Sequence, residues 1–293
     1  MQILAGKAIV ITGAGSGLGA AYARHVGRLG AAVVVNDIDP AACERMAAEL
    51  TAAGGQAVAF AGDVSSWAFS AAIVEACIQA FGKIDGLVNN AGILRHGRVT
   101  EMTEADMRAM FAVNTFGAAA CGSQAIRAML AAGTPGSIVN VASGSQAGDI
   151  ALGAYGASKA AVASLTYSWA MELKDTNVRV NAVSPLAATQ MAASNTVYLA
   201  QQSASREVAY TKLPEAETNG PAIAFLLSDR SIGINGQLVR IAGNELSFVT
   251  HPMIAEPVLK GVWTDEAIND AFRDTLGARQ QKLGLGYVRT GTP

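Results

Sequence analysis

Short apolar runs alternate with helical periodicities along most of the chain. The runs over 8–12, 31–35, 56–61, 84–88, 137–141, 178–183 and 237–241 are rich in valine, isoleucine and alanine and bounded by polar or glycine positions. Each is short enough to be a strand buried on both faces. Between them the spacing predicts helices over 17–29, 40–53, 67–81, 154–174 and 214–227, and one long helix or two over 103–132. Asp39 before Pro40 reads as a helix N-cap, Ser65 or Ser66 as the next one, and Gly30 as a helix stop. After Gly243 the pattern breaks at His251-Pro252 and Glu256-Pro257. A last amphipathic helix is predicted over 264–276 with Thr264 as its cap, followed by a loose glycine-rich tail over 283–293.

Strands that alternate with helices give a doubly wound α/β fold: a parallel sheet of about seven strands with helices on both faces. Right-handed crossovers bring every strand's C-terminal end to one edge, where ligands bind. Asp37, Asp63, Asn89, Asn90 and Ser143 all fall at those ends. One domain is expected over 1–243, and an extension over 244–293 that packs on it or on a neighbouring subunit.

The composition fits that core. The chain has 293 residues, 51% apolar and 15% charged, so a large buried interior can form. A net charge of −2 provides no field for nucleic acid or an anionic membrane, and no run has the length of a membrane span. Three cysteines without ligand-like spacing (Cys43, Cys77 and Cys121) read as reduced thiols of a cytoplasmic protein. Three scattered histidines make no metal site. His96, after the Asn-Ala-Gly turn, is a candidate for the mouth of a substrate site, and Met191, Tyr198 and Met253 for its apolar wall or equally for core packing; Trp67 and Trp169 read as packing, while Trp263 stays open because the extension could cap a pocket.

The candidate chemistry begins where the first strand runs into Thr12-Gly13-Ala14-Gly15-Ser16-Gly17-Leu18-Gly19 and then a helix. Such a turn aims backbone N–H groups at a pyrophosphate, and side chains there would block its approach. Asp37, at the end of the second strand, is placed to accept hydrogen bonds from an adenosine ribose, which selects NAD over NADP. The plainer reading is a turn aspartate that caps the next helix, a job Asp39 fits better. Tyr155 and Lys159 share a helix face at i, i+4. A nearby ammonium favours the phenolate and would lower the tyrosine pKa, so the pair can exchange a proton with an alcohol or carbonyl oxygen. The plainer reading is a surface pair. Ser143 after the fifth strand supplies a hydrogen bond to that oxygen, and Asn114 a place for a water behind the lysine.

These pieces occur in one order: Thr12-Gly13-x-x-x-Gly17-x-Gly19, Asp63-Val64, Asn89-Asn90-Ala91-Gly92, Asn114, Ser143, Tyr155-x-x-x-Lys159 and Arg179-Val180-Asn181-Ala182-Val183-Ser184-Pro185. In that order they resemble the short-chain dehydrogenases/reductases of Rossmann fold. Val34 to Asp37 and Asn89 to Arg95 look most like the hydroxyacyl-CoA dehydrogenase domain of peroxisomal multifunctional enzymes and their bacterial relatives. The resemblance implies an NAD-dependent oxidoreductase that interconverts a secondary alcohol and a ketone, with Asn114, Ser143, Tyr155 and Lys159 as catalytic tetrad. It implies cofactor contacts from Gly13, Gly15, Ser16, Gly17, Leu18, Gly19 and Asp37, with Asp63 and Val64 at the adenine. Asn90, Ala91, Gly92, Tyr155 and Lys159 would lie at the nicotinamide ribose, and Pro185, Ala188 and Thr189 at the carboxamide. It also implies a small-molecule substrate, a homodimer or homotetramer paired through the long helices, and a substrate loop over 186–212 that closes on its ligand.

Three departures stand out. Ser143 is one residue closer to Tyr155 than the family spacing, which leaves Ser145 as a second choice. Pro185 is followed by Leu186 where glycine is usual, and Thr189 comes one position early. The family's terminal Val-Asp-Gly-Gly is replaced by Ile241-Ala242-Gly243-Asn244. Two other readings use the same fold: epimerase or dehydratase chemistry, and a non-catalytic NAD sensor. The substrate class is an apolar alcohol, such as a hydroxyacyl thioester or a hydroxysteroid.

Overall fold

The computed structural model describes residues 2–201, 212–281 and 283–287. Its strands are β1 (Ala8–Ile11), β2 (Ala32–Val35), β3 (Gln56–Ala59), β4 (Gly86–Asn89), β5 (Gly136–Val141), β6 (Val178–Leu186), β7 (Leu238–Ala242) and β8 (Glu245–Phe248). The helices are α1 (Gly17–Arg28), α2 (Pro40–Ala52), α3 (Trp67–Phe81), α4 (Glu104–Met110), α5 (Ala118–Ala132), α6 (Gly153–Glu172), α7 (Gln190–Gln201), α8 (Gly220–Leu227) and α9 (Asp265–Ala271).

The strands form one sheet in the order β3-β2-β1-β4-β5-β6-β7-β8, parallel except for β8, which pairs antiparallel with β7. The order reverses between β1 and β4, so a crevice opens beside the first glycine turn. Successive β1 residues serve opposite faces. Ile9 and Ile11 pack with Tyr22, Val26, Met46 and Ile223 from α1, α2 and α8. Ala8 and Val10 pack with Ile73, Cys77, Cys121 and Met129 from α3 and α5. A sheet covered on both faces explains why the strands read as continuous apolar runs.

The predicted architecture is present, with four local differences. The sheet has eight strands, because Glu245–Phe248 turns back at Gly243 (φ +65°) and adds an exposed edge. The 103–132 stretch is α4 and α5 joined by a π-helical segment, Phe111–Gly117. The segment expected as a polar substrate loop begins with the end of β6 and then forms α7; residues 202–211 of that expectation lie outside the described residues. The predicted 264–276 helix is α9 followed by a π-helical turn, Phe272–Leu276, and it buries no side chain. Its cap is as predicted, with Thr264 Oγ1 accepting from Ala267 N at 3.2 Å. Asp39 likewise caps α2 by accepting from Ala41 N. Ser66 holds the cap position of α3 without a side-chain cap bond.

Candidate active site

The first glycine turn is shaped by close approach. Gly13 sits at φ +62°, and a Cβ there would lie 2.9 Å from Ala91 Cα; a Cβ on Gly19 would lie 2.0 Å from Gly13 O. No larger residue fits either position. Ser16 is exposed at the N-cap position of α1 but makes no side-chain cap bond, and the first turn carries no acid. The first turn of α1 thus presents N–H groups and a positive dipole end that neither a cap side chain nor an acid of its own occupies. Thr12 Oγ1 braces the turn by accepting from Asn90 N (3.0 Å) and Ala91 N (3.1 Å).

Asp37 stands at the rim of this turn, where Oδ2 accepts from Gly15 N at 3.0 Å and Oδ1 from Asp39 N at 3.2 Å. A Cβ on Gly15 would meet that carboxylate at 2.9 Å. The glycine cradle, the open helix start and the acidic rim fit a dinucleotide. Asp63 accepts from Ser65 N at 2.8 Å, and Val64 packs buried against Gly117 of the π-helical segment. Asn90 turns its amide inward and donates to Thr12 O (2.9 Å) and Gly13 O (3.0 Å), so its N–H groups are spent on the turn. Leu18 packs with Ala187, and the Thr189 methyl lies over Gly17. Thr189 Oγ1 also caps α7, Ala188 N donates to Pro214 O at 2.7 Å, and Pro185 pairs in register with Ile241. The segment after β6 therefore ends beside the glycine turn.

The second half of the site lies between β5, α6 and the π-helical segment. Asn114 sits in that segment, fully buried, and exchanges two hydrogen bonds with Ile93: Ile93 N donates to Oδ1 at 2.8 Å, and Nδ2 donates to Ile93 O at 3.0 Å. Its Nδ2 also donates to Ser158 Oγ at 2.9 Å, and that hydroxyl donates to Tyr155 O. Gly92 allows this closeness, since a Cβ there would lie 3.2 Å from Asn114 Oδ1 and 3.4 Å from Lys159 Nζ. Ser158 is specified by none of the sequence motifs. Its only signal in the sequence is its place next to Lys159.

Lys159 is buried, and Nζ donates to Val141 O at 2.8 Å; the ammonium is 6.0 Å from the Tyr155 ring centre. Burial pulls the lysine pKa down to about 8. Tyr155 moves the other way. Burial raises its pKa, and the Ser143 hydroxyl bonded to it offsets part of the rise. This corrects the expectation that the ammonium brings the tyrosine down. The hydroxyl is shielded from water, and the lysine is turned toward Val141. Between the two candidate serines the geometry is distinct. Ser143 adjoins Tyr155, whereas the Ser145 hydroxyl donates to Asp149 at 3.3 Å.

Around the tyrosine, Met107, Met110, Leu152, Ala154 and Met191 form an apolar cluster. A cavity of about 390 Å³ adjoins it, lined among others by Val99, Met102, Met107, Ile150 and Ala154. Ala151 at its edge holds φ +60°, and its carbonyl accepts from Gly97 N at 2.9 Å. His96 stacks on Tyr198 of α7 with ring centres 4.5 Å apart. Met253 is 85% exposed and forms no wall, and Trp67 is exposed as well. Among the described residues, no cluster of three potential metal ligands occurs.

Known proteins resemble this chain over most of its length. The short chain dehydrogenase family model matches residues 7–198. A cis-4-hydroxycyclohexanecarboxylate dehydrogenase of Sinomonas cyclohexanicum is 37% identical over 245 residues, which cover 83% of this chain and 97% of that protein. A 3-oxoacyl-[acyl-carrier-protein] reductase of Thermotoga maritima is 33% identical, covering 82% of this chain and 98% of its own length. Among solved structures, a short chain dehydrogenase from Mycobacterium avium superposes with a TM-score of 0.83 at 29% identity, covering 94% of this chain and 96% of that one. An NAD+-bound xylitol dehydrogenase superposes with a TM-score of 0.76 at 29% identity, covering 82% of this chain and 99% of that one. The chain belongs to the short-chain dehydrogenase family of oxidoreductases.

Proposed function

We propose that this protein is an NAD(H)-dependent oxidoreductase that interconverts a secondary alcohol and a ketone, with Tyr155 as general acid and base. The observation that carries the reading is the convergence of Ser143, Tyr155, Lys159 and Asn114 beside a glycine turn whose rim is Asp37. The dinucleotide would be held by Gly13, Gly15, Ser16, Gly17, Leu18 and Gly19 at its pyrophosphate and by Asp37 at its adenosine ribose. The Asp37 carboxylate would repel a ribose 2′-phosphate, which favours NAD. When bound, the nicotinamide accepts or supplies the hydride.

The chain's own groups handle the proton. Ser143 donates to the substrate oxygen, and Tyr155 gives or takes a proton at that oxygen. Lys159 holds positive charge near the phenol, and Asn114 fixes the 92–93 backbone behind it. Tyr155 is protonated at neutral pH, given its raised pKa, which suits it to act as an acid toward a ketone. The methionine-lined cluster and the adjoining cavity favour an apolar substrate. The cytoplasm, and a homodimer or homotetramer paired through the long helices, complete the reading.

The test is Tyr155→Phe. NADH binding followed by fluorescence should persist, while alcohol oxidation and ketone reduction fall by roughly two to four orders of magnitude. A variant with full turnover would remove Tyr155 from the chemistry, and an epimerase or a non-catalytic sensor would show no net NADH exchange in the parent protein.

A further inference from the structure

The extension leaves the sheet at β8 and comes back to the site. On the way, His251 lies on the Tyr167 ring, with centres 4.2 Å apart. At 283–287 the chain reaches the turn that follows Ser143. Gly284 N donates to Ala147 O at 3.2 Å. Leu285 is half-buried between exposed Leu283 and Tyr287 and lies on Gly144. The fit is close, since a Cβ on Gly144 would come within 2.9 Å of Leu285 Cδ2. Gly148, at φ +100°, faces the Gly284 backbone.

The turn is held by short-range hydrogen bonds, Gln146 N to Ser143 O and Gly148 N to Ser145 O, and by α6 on one side. Its 3₁₀ segment, Gly144–Ala147, buries no residue, and glycines at 144 and 148 leave it costly to order. Its inner side rests on α6, where a Cβ on Gly156 would lie 2.4 Å from Ser145 O. On its outer side Gly144 meets Leu285, at 2.9 Å from a Cβ placed there, and more distantly the Arg240 guanidinium of β7 at 3.6 Å, while Ala147 and Gly148 meet Gly284. Ser143 opens the turn, and its Oγ accepts from Ser145 N at 3.2 Å, so the orientation of the serine depends on the turn's conformation.

Resting on the dehydrogenase reading above, we infer that residues 283–287 are a strap that fixes the Ser143 turn, with Gly284 and Leu285 as positioning residues for the serine. The strap sandwiches the turn against α6. A serine displaced by about 1 Å loses roughly a hundredfold in rate, so a small shift has a large effect. The Sinomonas cyclohexanicum and Thermotoga maritima relatives cover 82–83% of this chain, a share that corresponds in size to the domain without its extension, whereas the Mycobacterium avium structure covers 94% and reaches into it.

The test uses the full-length protein with Leu285→Ala and, separately, Gly284→Pro, which removes the donor and cannot adopt φ +83°. Hydrogen exchange at the 144–148 amides should accelerate roughly tenfold in both. NADH bound per chain should stay unchanged, while kcat for cyclohexanol or 2-octanol with NAD falls roughly tenfold, and Leu285→Met should restore it. Gly144→Ala should reproduce the loss in the parent and add little in the Leu285→Ala background. Unchanged exchange at 144–148 in both variants, or faster exchange with full kcat, would overturn the inference. A parent protein inactive on every alcohol would sink the dehydrogenase reading instead, and the exchange measurement would still decide the strap.

Discussion

Asn114 and Ile93 are joined by a reciprocal pair of hydrogen bonds, the carboxamide pairing with the Ile93 backbone as a neighbouring strand would. This pair ties the helix to the chain leaving β4 and sets the distance between Gly92 and Lys159. Asn114→Ala leaves a buried N–H and a carbonyl unpaired. The expected loss is roughly 2 to 3 kcal/mol of unfolding free energy, read by urea titration, with turnover reduced as well. A loss below about 0.5 kcal/mol would contradict this role.

The direction of the Tyr155 shift predicts opposite pH responses for the two reactions. Oxidation needs the phenolate, which burial disfavours, so its kcat/KM should climb as the pH rises above neutrality. Reduction uses the phenol and should stay level through neutral pH, then fall when the phenol ionises. An oxidation rate already level below pH 7 would mean that the phenolate is stabilised more than this environment allows.

Asp37 has two jobs that one substitution separates. Asp37→Ala removes the charge that opposes a 2′-phosphate, so the NAD-to-NADP preference in kcat/KM should drop by roughly tenfold or more. It also removes the acceptor for Gly15 N, so NAD itself should bind more weakly. An unchanged cofactor preference would take Asp37 away from the ribose.

Lys159 supplies a stability prediction of definite sign. Its folded pKa, about 8, lies below the value in an unfolded chain. Between those two values the unfolded state holds the extra proton, so this group's contribution to stability rises with pH. Below pH about 8 both states are charged, and the burial penalty applies in full. The stability of the parent relative to Lys159→Met, from denaturant titrations, should increase from pH 8 upward. A difference that stays constant across that window would show that the ammonium is not desolvated.

Assembly is testable on the same material. Phe116 on the π-helical segment and Met171 on α6 are 57% and 74% exposed, as expected of faces that a second copy covers. Light scattering should give a multiple of the 29.9 kDa chain, and Phe116→Glu should lower it. A single-chain mass for the parent at micromolar concentration would count against a dimer or tetramer.

The parallel sheet was legible because Val/Ile runs such as 33–35 and 138–139 are buried on both faces, a pattern that few other folds need. The site was legible where chemistry restricts the residue type, as at Gly13, Asp37, Tyr155 and Lys159. What escaped depends on long-range pairing. β8 carries only exposed side chains, so no apolar run announced it. Ser158 and the Val141 carbonyl enter the site through contacts with residues far along the chain or through the main chain. The rise in the Tyr155 pKa escaped because i, i+4 spacing places two side chains on one face and says nothing of how dry that face is.

The π-helical segment also has a consequence for helix phase. An α-helix turns about 100° per residue, so a turn widened by one residue rotates everything after it by that angle. Five regular turns take about 18 residues, whereas buried Met110 and buried Met129 stand 19 apart. The extra residue absorbs that difference and brings Met129 back into phase with Met110, so one continuous rod keeps its buried side inward along both halves. Its first half, with Met107 and Met110, meets α6 at the tyrosine cluster, and its second half, with Cys121, Ala125 and Met129, seals the sheet beside α3. Without that offset, one of the two apolar faces would be turned toward water.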